Sequence, residues 1–469
     1  MNSLNNAILA FNDVLWTYIL IAMLIIVGLY FTFKTKFVQF KNIKEMFILL
    51  NDGATNDKEK NSVSSFQAFC ISTASRVGTG NLAGIATAIS IGGPGAIFWM
   101  WLIALIGSAS SFIESTLAQI YKKKDGDNYI GGPAYYMEKG LKKRWMGILF
   151  AILITIAFGL VFNSVQANTI ALSLNNSFGF NKVIVGSIIT ILTIVIIFGG
   201  VNRIAKVSSI IVPIMAIAYI LVALFIVIKN ITALPEVFKM IFENAFGIHQ
   251  VVGGGIGAAL MQGIKRGLFS NEAGMGSAPN AAATATVSHP VKQGFIQTLG
   301  VFTDTLIICS CTAFIILLSD VPLDGSVKGI ELTQLAINYQ VGSWGGIFIS
   351  ICILLFAFSS IVGNYYYGET NIQFITNKKI YLSIYRIFVG LMVFFGSLVS
   401  MDIVWNLADV FMGLMAIINL IAIVLLSKIA FKALDDYMRQ KKSGIKDPVF
   451  NASSIPELDN EITEWKKDN

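Results

Sequence analysis

Two apolar segments of this chain are long enough to cross a bilayer, and both carry residues that oppose helix formation. The first, about 64–90, contains Val77-Gly78-Thr79-Gly80-Asn81-Leu82-Ala83-Gly84. The second, about 250–286, contains Gly263-Ile264-Lys265-Arg266-Gly267-Leu268-Phe269-Ser270-Asn271-Glu272-Ala273-Gly274-Met275-Gly276. Each Gly costs a helix roughly 1 kcal/mol relative to Ala. In lipid, unwound backbone must find internal partners or line a cavity. A pair of glycine-interrupted spans at matching places in two halves points to a binding site between them.

The rest of the sequence places these breaks in a membrane. Of the 469 residues, 55% are hydrophobic and only 13% charged, and mean hydropathy is +0.71. Soluble chains carry about 25% charged residues. Apolar runs near 20 residues long recur throughout, the signature of a polytopic helical protein. The net charge of +7 is not a nucleic-acid footprint, because the basic residues sit in loops. No Lys or Arg precedes Lys34, so the N-terminus lacks a signal peptide's basic region and the first run reads as a retained helix.

Cys70, Cys309, Cys311 and Cys352 all fall in apolar segments without CxxC spacing and read as small buried hydrophobes. His249 and His289 are too few and too scattered for a metal site. There is no HExxH and no His near a nucleophile, so the chain is not expected to be an enzyme. A channel would need a ring of filter carbonyls from several chains, which two asymmetric breaks in one chain do not resemble.

Eleven spans are expected, at about 13–33, 64–90, 94–121, 146–173, 182–199, 207–228, 250–286, 294–318, 344–367, 381–400 and 403–430. With the N-terminus outside, 29 Lys and Arg fall on the cytoplasmic side, 265–292 included, and 4 on the outside. That split satisfies the positive-inside rule and puts the C-terminus in the cytoplasm. Spans two to six then oppose spans seven to eleven, each set opening with a broken helix. The expected fold is an all-α integral membrane protein with a five-plus-five inverted repeat and one extra N-terminal helix.

In domain terms, residues 1–63 hold the extra helix and a cytoplasmic amphipathic segment. Residues 64–229 and 230–430 are the two repeats, and 431–469 form a cytoplasmic tail, polar and disordered from about Ser443. Phe37, Phe40, Ile43, Phe47 and Leu50 form an interfacial stripe at helical spacing, and Leu234, Val237, Phe238, Ile241 and Phe242 form another on the outside.

An unwound helix centre offers amide N–H groups at its positive end and carbonyls at its negative end. Two opposed breaks therefore suit a zwitterion and a small cation. Gly78 and Gly80 let a ligand reach the backbone, and Thr79 and Asn81 add donors. Glu114, Glu272, Asp304, Glu369, Arg76, Lys265 and Arg266 lie in or beside spans, where ionisable groups default to functional roles. Arg76 paired with Glu114 or Glu369 would make an inner gate, and Glu272, within the second break, would serve proton coupling or helix orientation.

Several long motifs, in order, resemble the alanine or glycine:cation symporter family, also called sodium:alanine symporters. They are Arg76 to Gly84, Gly92 to Trp101, Gly131 to Met137, Asn202 to Ala205, Arg266 to Pro279, and Phe358 to Glu369. The resemblance covers about Trp16 to Lys428 and implies a leucine-transporter-like fold in the cell (inner) membrane. It implies sodium-coupled uptake of a small neutral amino acid, with sodium as co-transported ligand and no cofactor. No nucleic acid or obligatory protein partner is called for. A proton-coupled amino acid symporter on the same fold is the alternative.

By the same resemblance, sodium is held by the carbonyls of Ala74, Val77 and Phe356 and the hydroxyls of Ser359 and Ser360. The substrate carboxylate meets Gly78, Thr79 and Gly80 beside Asn81, with Gln166, Phe269 and Ser270 as walls. Many relatives carry Gly-Trp where this chain has Gly363-Asn364. Losing that Trp leaves room and adds an amide, which implies glutamine or asparagine over alanine or glycine.

Overall fold

The computed structural model describes residues 2–55, 63–126, 128–247, 255–458, 462 and 464–465. The expected start of the seventh span at 250–254, with Gly253, Gly254 and the nearby His249, lies outside the described residues, as does the end of the tail.

Among the described residues, eight helices are long and apolar enough to cross a membrane: Ile8–Lys34, Ala96–Ile120, Arg144–Phe178, Arg203–Lys229, Pro290–Leu317, Trp344–Ile375, Lys379–Leu398 and Met401–Lys442. They fall on the expected first, third, fourth, sixth and eighth to eleventh spans. The expected fifth segment is the shorter helix Lys182–Ile197. The second and seventh are the interrupted ones.

The second segment starts at Ser64, whose side chain accepts from the Gln67 amide while Gln67 reaches back to the Ser64 amide. This capping box satisfies two donors that a helix start leaves open. Its first helix, Ser65–Arg76, ends where Val77 turns extended at φ −80° and ψ 94°. Helix resumes over Gly80–Gly92. The seventh segment is helical over Gly255–Asn271 and again, briefly, over Ala278–Ala282. Between them Glu272, Gly274 and Gly276 take φ of 58°, 81° and 86°. Such angles cost a glycine nothing and a Glu about 1 kcal/mol or more.

The second half-helix Gly80–Gly92 packs on Gly255–Asn271, and Ala96–Ile120 packs along Pro290–Leu317. Around them, Asn163–Phe178 lies against both Trp344–Ile375 and Lys379–Leu398. The breaks therefore meet at the centre, between an inner group of helices and a surrounding scaffold.

Several elements depart from the sequence expectation. The last helix runs to Lys442, and a helix Ile330–Val341 and a hairpin pairing Lys123–Asp125 with Asn128–Ile130 appear in loops. Lys265 and Arg266 lie inside the helix before the second break, bound to Asp409, so they do not belong to the cytoplasmic tally.

The described part of the tail is docked where disorder was expected. Phe450, Ile455, Ile462 and Trp465 are buried, the Phe450 amide donates to Ser288, and the Trp465 indole donates to the Gln119 carbonyl. Sparse but well-placed apolar residues dock a segment whose average composition is polar.

Lys36 and Phe37 turn the chain sharply out of the first span with φ of 56° and 63°. The following segment turns Met46 and Leu49 inward and leaves Phe40, Ile43 and Phe47 exposed, as an interfacial helix requires. Leu234–Ala245 caps an aromatic cluster in which Phe238 meets Trp101 and Phe242 meets Phe98.

Candidate functional site

The first break is held by groups from four other helices. The Ser360 hydroxyl donates to the carbonyl of Ala74 at 2.8 Å, with those of Phe356 and Val77 at 3.0 and 3.3 Å. Four of the five expected ion ligands thus converge around one oxygen. Ser359 differs, because its hydroxyl bonds the Phe356 carbonyl within its own helix at 2.9 Å.

Two of the three residues expected to receive a carboxylate, Gly78 and Thr79, have side-chain acceptors on their amides. Gly78 N–H donates to Asn81 Oδ1 and Thr79 N–H to Gln166 Oε1, both at 2.9 Å. A Cβ at Gly78 would sit 2.3 Å from Ser360 Oγ and 2.8 Å from Gln166 Oε1, so only glycine lets these groups meet. The Thr79 hydroxyl is buried without a partner.

Asn81 also donates to Asp304 Oδ1 at 2.7 Å, and Ser270 donates to Asp304 Oδ2 at 2.8 Å. Asp304 lies in a π-helical stretch, Phe302–Cys309, whose wider turn brings residues five apart onto one side. Cys309 accordingly joins Asp304 beside Asn81 and Ser270, at 3.3 and 3.1 Å. Asp304 is fully buried and forms no ion pair among the described residues. Burying an isolated carboxylate is costly, and the groups that meet this one are the donors Asn81, Ser270 and Thr305. The sequence marked Asp304 as an intramembrane acid without a role; helical periodicity of 3.6 does not bring 304 and 309 together.

Phe269 lies against Phe162 and Trp405, with ring centroids 4.6 and 4.7 Å away. Gly80 makes room for it, since a Cβ there would be 2.9 Å from the Phe269 ring. Beyond Trp405 sits the Arg266 guanidinium, 4.6 Å from the ring and 2.7 Å from Asp409, with Lys265 at 3.3 Å from the same carboxylate. The aromatic layer and the ion cluster lie in series on one side of the breaks. Phe162 and Trp405 were not picked out by the sequence, because each looks like an ordinary residue of an apolar span; Asp409, an acid within the expected eleventh span, carried the same signal as Asp304 and was passed over.

On the other side, Glu114 accepts from the amides of Gly274 and Gly276 at 3.1 Å and from Asn419 at 2.7 Å. Successive amides in a turn of this kind form an anion-binding nest. Glu272 accepts from Ser75 at 2.8 Å and from Ser277 at 2.6 Å. Both acids hold the second break in shape.

Arg76 is buried, donates to the Gln297 carbonyl at 3.3 Å, and forms no ion pair with Glu114 or Glu369. Glu369 pairs instead with Arg386 at 3.2 Å. The expected gate pairing is therefore not made in this structure.

Asn364 is fully buried, one helical turn beyond Ser360, with Oδ1 2.7 Å from Ser75 Oγ. Ser75 has one hydroxyl proton and two facing acceptors, Asn364 and Glu272. Turning the Asn364 amide over would let it donate to Ser75. Either way one polar atom of Asn364 stays open; as oriented it is Nδ2.

The fold and the sequence have counterparts in known proteins. The structure of MhsT in complex with L-phenylalanine superposes with a TM-score of 0.60 at 16% identity, covering 80% of this chain and 96% of that one. That likeness is of fold alone and identifies the leucine-transporter-like arrangement. The probable sodium/glutamine symporter GlnT of Bacillus subtilis is 61% identical over 94% of this chain and 91% of its own length. The amino-acid carrier protein AlsT of the same organism is 58% identical over 97% of this chain and 96% of its own. The model of the sodium:alanine symporter family matches residues 1–452. A match of that extent, on a fold shared with transporters, leaves one assignment: the chain belongs to the sodium:alanine symporter family and is a multi-pass membrane transporter, not an enzyme.

Proposed function

We propose that the protein couples entry of sodium to uptake of a neutral amino acid with a side-chain amide, glutamine foremost, by alternating access. The observation that carries the sodium half is the convergence of Ser360 Oγ with the Ala74, Val77 and Phe356 carbonyls across the first break. Neutral oxygens at the negative end of a half-helix suit a hard monovalent cation. Sodium entering there would replace the hydroxyl's hydrogen bonds with ion–oxygen contacts and pull the break into one shape.

The substrate carboxylate would compete with Gln166 and Asn81 for the Gly78 and Thr79 amides. Gln166 can turn its amide over and donate instead of accept. Asp304 then supplies the counter-charge for the ammonium group, through the position it holds beside Asn81 and Ser270. The open polar atom of Asn364 gives a side-chain amide a partner that an alanine methyl cannot use. The name of the relative GlnT accords with this choice.

Phe162, Phe269 and Trp405, backed by Arg266 and Asp409, form the outer barrier in this reading. The network of Glu114, Glu272 and Arg76 lies on the inner side and rearranges when the site opens inward. The chain folds as two inverted five-helix repeats, 64–229 and 230–430, after an extra N-terminal helix. Its N-terminus is outside and its C-terminus in the cytoplasm. Moving Lys265 and Arg266 into the span leaves 27 cytoplasmic basic residues against 4 outside, so the charge rule still holds.

One sodium per cycle suffices energetically. The membrane potential contributes about 2.3 kcal/mol per 100 mV, and a tenfold sodium gradient about 1.4 kcal/mol. Together they support roughly a 500-fold amino acid gradient.

Proton coupling has one observation in its favour: Asp304 and Glu272 are fully buried acids without ion pairs among the described residues. Uptake of labelled glutamine into proteoliposomes, with sodium replaced by choline at fixed pH, separates the two. Loss of concentrative uptake supports sodium coupling; full uptake driven by a pH gradient alone overturns it.

A further inference from the structure

A large solvent cavity lies remote from the breaks. It measures about 1080 Å³ and lies between the hairpin Lys123–Asp125, the end of the helix Trp344–Ile375 and the start of Lys379–Leu398. Seven of its lining residues are Lys or Arg and two are acids. Arg144 pairs with Glu138, and Arg386 with Glu369. Lys123, Lys124, Lys378 and Lys379 are exposed in it, and no ion pair is recorded for them among the described residues.

So many cations around one cup repel each other unless an anion joins them. Four like charges kept unpaired in a single concavity indicate an anionic ligand.

A second feature says which kind. An apolar groove of about 590 Å³ adjoins the cup and shares Ile372, Thr376 and Lys378 with it. The groove follows the outer surface of the spans, between Thr155 and Leu160 on one side and Tyr381, Ile384 and Phe388 on the other. Those last three are 50%, 41% and 52% exposed, which in a membrane protein means facing acyl chains. A basic cup at the end of the spans that runs into a lipid-facing groove matches a molecule with an anionic head and an apolar tail. Basic pockets between helices at the cytoplasmic surface hold such head groups.

We propose that this cup and groove form a binding site for an anionic diacyl phospholipid. The phosphate lies among Lys123, Lys124, Lys378 and Lys379, and one acyl chain occupies the groove past Ile384 and Phe388. The site joins the fourth span to the ninth and tenth, the scaffold around the breaks, so the bound lipid acts as a clamp on that scaffold.

Native mass spectrometry of the full-length protein in neutral detergent tests this, titrating phosphatidylglycerol, phosphatidylcholine, dihexanoyl phosphatidylglycerol and free glycerol phosphate. Each lysine near a charged lipid surface contributes about fivefold in affinity. The expected result is tight phosphatidylglycerol binding, weak phosphatidylcholine binding, and roughly 25-fold weaker phosphatidylglycerol binding in Lys378→Gln/Lys379→Gln. Lys123→Gln/Lys124→Gln should lose a similar factor, while Lys446→Gln, away from the cup, should lose none.

Equal binding of the two long-chain lipids would overturn the proposal. Glycerol phosphate competing as well as phosphatidylglycerol would show a soluble anion to be the occupant and overturn it too. An equal loss in Lys446→Gln would reduce the effect to a diffuse surface field. Sodium-dependent uptake in each variant confirms folding, since none of these lysines touches the breaks.

Discussion

Replacing Ser360 by Ala should weaken sodium binding selectively. The Ser360 hydroxyl is fully buried and lies 2.8 to 3.3 Å from three carbonyls, two of them contributed by the first break. An oxygen acting on a charged group contributes about 1.5–3 kcal/mol. Losing it should raise half-saturating sodium by roughly 10- to 150-fold. The same change also removes a donor from buried carbonyls, costing about 1–3 kcal/mol of stability whether or not sodium binds. Stability alone therefore cannot decide the matter.

The neighbouring serine provides the control. Ser359 bonds only within its own helix turn. Ser359→Ala should shift half-saturating sodium by less than about fivefold, and Ser360→Thr should recover most of the parent value. Sodium titration of labelled uptake in proteoliposomes gives the half-saturation. Sodium-dependent thermal shift of the purified protein gives binding without turnover. A folded Ser360→Ala protein with half-saturation and thermal shift within about twofold of the parent would refute an ion at this position.

Asn364→Ala should lower the ability of glutamine to compete with labelled alanine by about tenfold, the value of one buried hydrogen bond; an unchanged ratio would remove Asn364 from specificity. Gly80→Ala would force a Cβ to within 2.9 Å of the Phe269 ring. Such overpacking costs about 1–3 kcal/mol, so thermal stability and transport rate should fall together, and Phe269→Leu in the same chain should recover both in part. Burial pushes the His289 imidazole below its ordinary value near 6.5, against the opposing pull of Asp436. The unfolded chain then binds the proton more readily, so stability should be full above about pH 6.5 and fall as pH drops below it. Melting curves from pH 7 to 4 should show that slope, and His289→Gln should flatten it.

Much of the fold was legible because lipid leaves few options. Apolar runs of fixed length located the helices, and the glycine-rich stretches 77–84 and 263–276 marked the breaks because each Gly costs a helix about 1 kcal/mol; helix continues through Gly263 and Gly267 to Asn271, so the second break is shorter than expected. Ser360 and Gln166 were picked out through motif resemblance; in the structure Ser360 donates to the Ala74 carbonyl and Gln166 accepts from the Thr79 amide. Arg76 was expected to pair with Glu114 or Glu369 and does not, because sequence shows that a charge is buried but not which neighbour answers it. Glu114 instead holds the amides of the second break, and Glu369 meets Arg386. The tail was misjudged for a related reason: composition averages over residues, whereas docking depended on four of them, Phe450, Ile455, Ile462 and Trp465.

The sequence by itself determined that this chain crosses a membrane as helices, which two helices are interrupted, and to which family it belongs. Those properties rest on local composition and motif order, which need no knowledge of neighbours. Tertiary structure decided what faces the interruptions: the π-helical turn that aims Asp304 and Cys309 at Asn81, the aromatic layer of Phe162, Phe269 and Trp405, and the Asp409 cluster behind it. These partners lie more than 100 residues apart in the chain, and only packing brings their short-range interactions within reach.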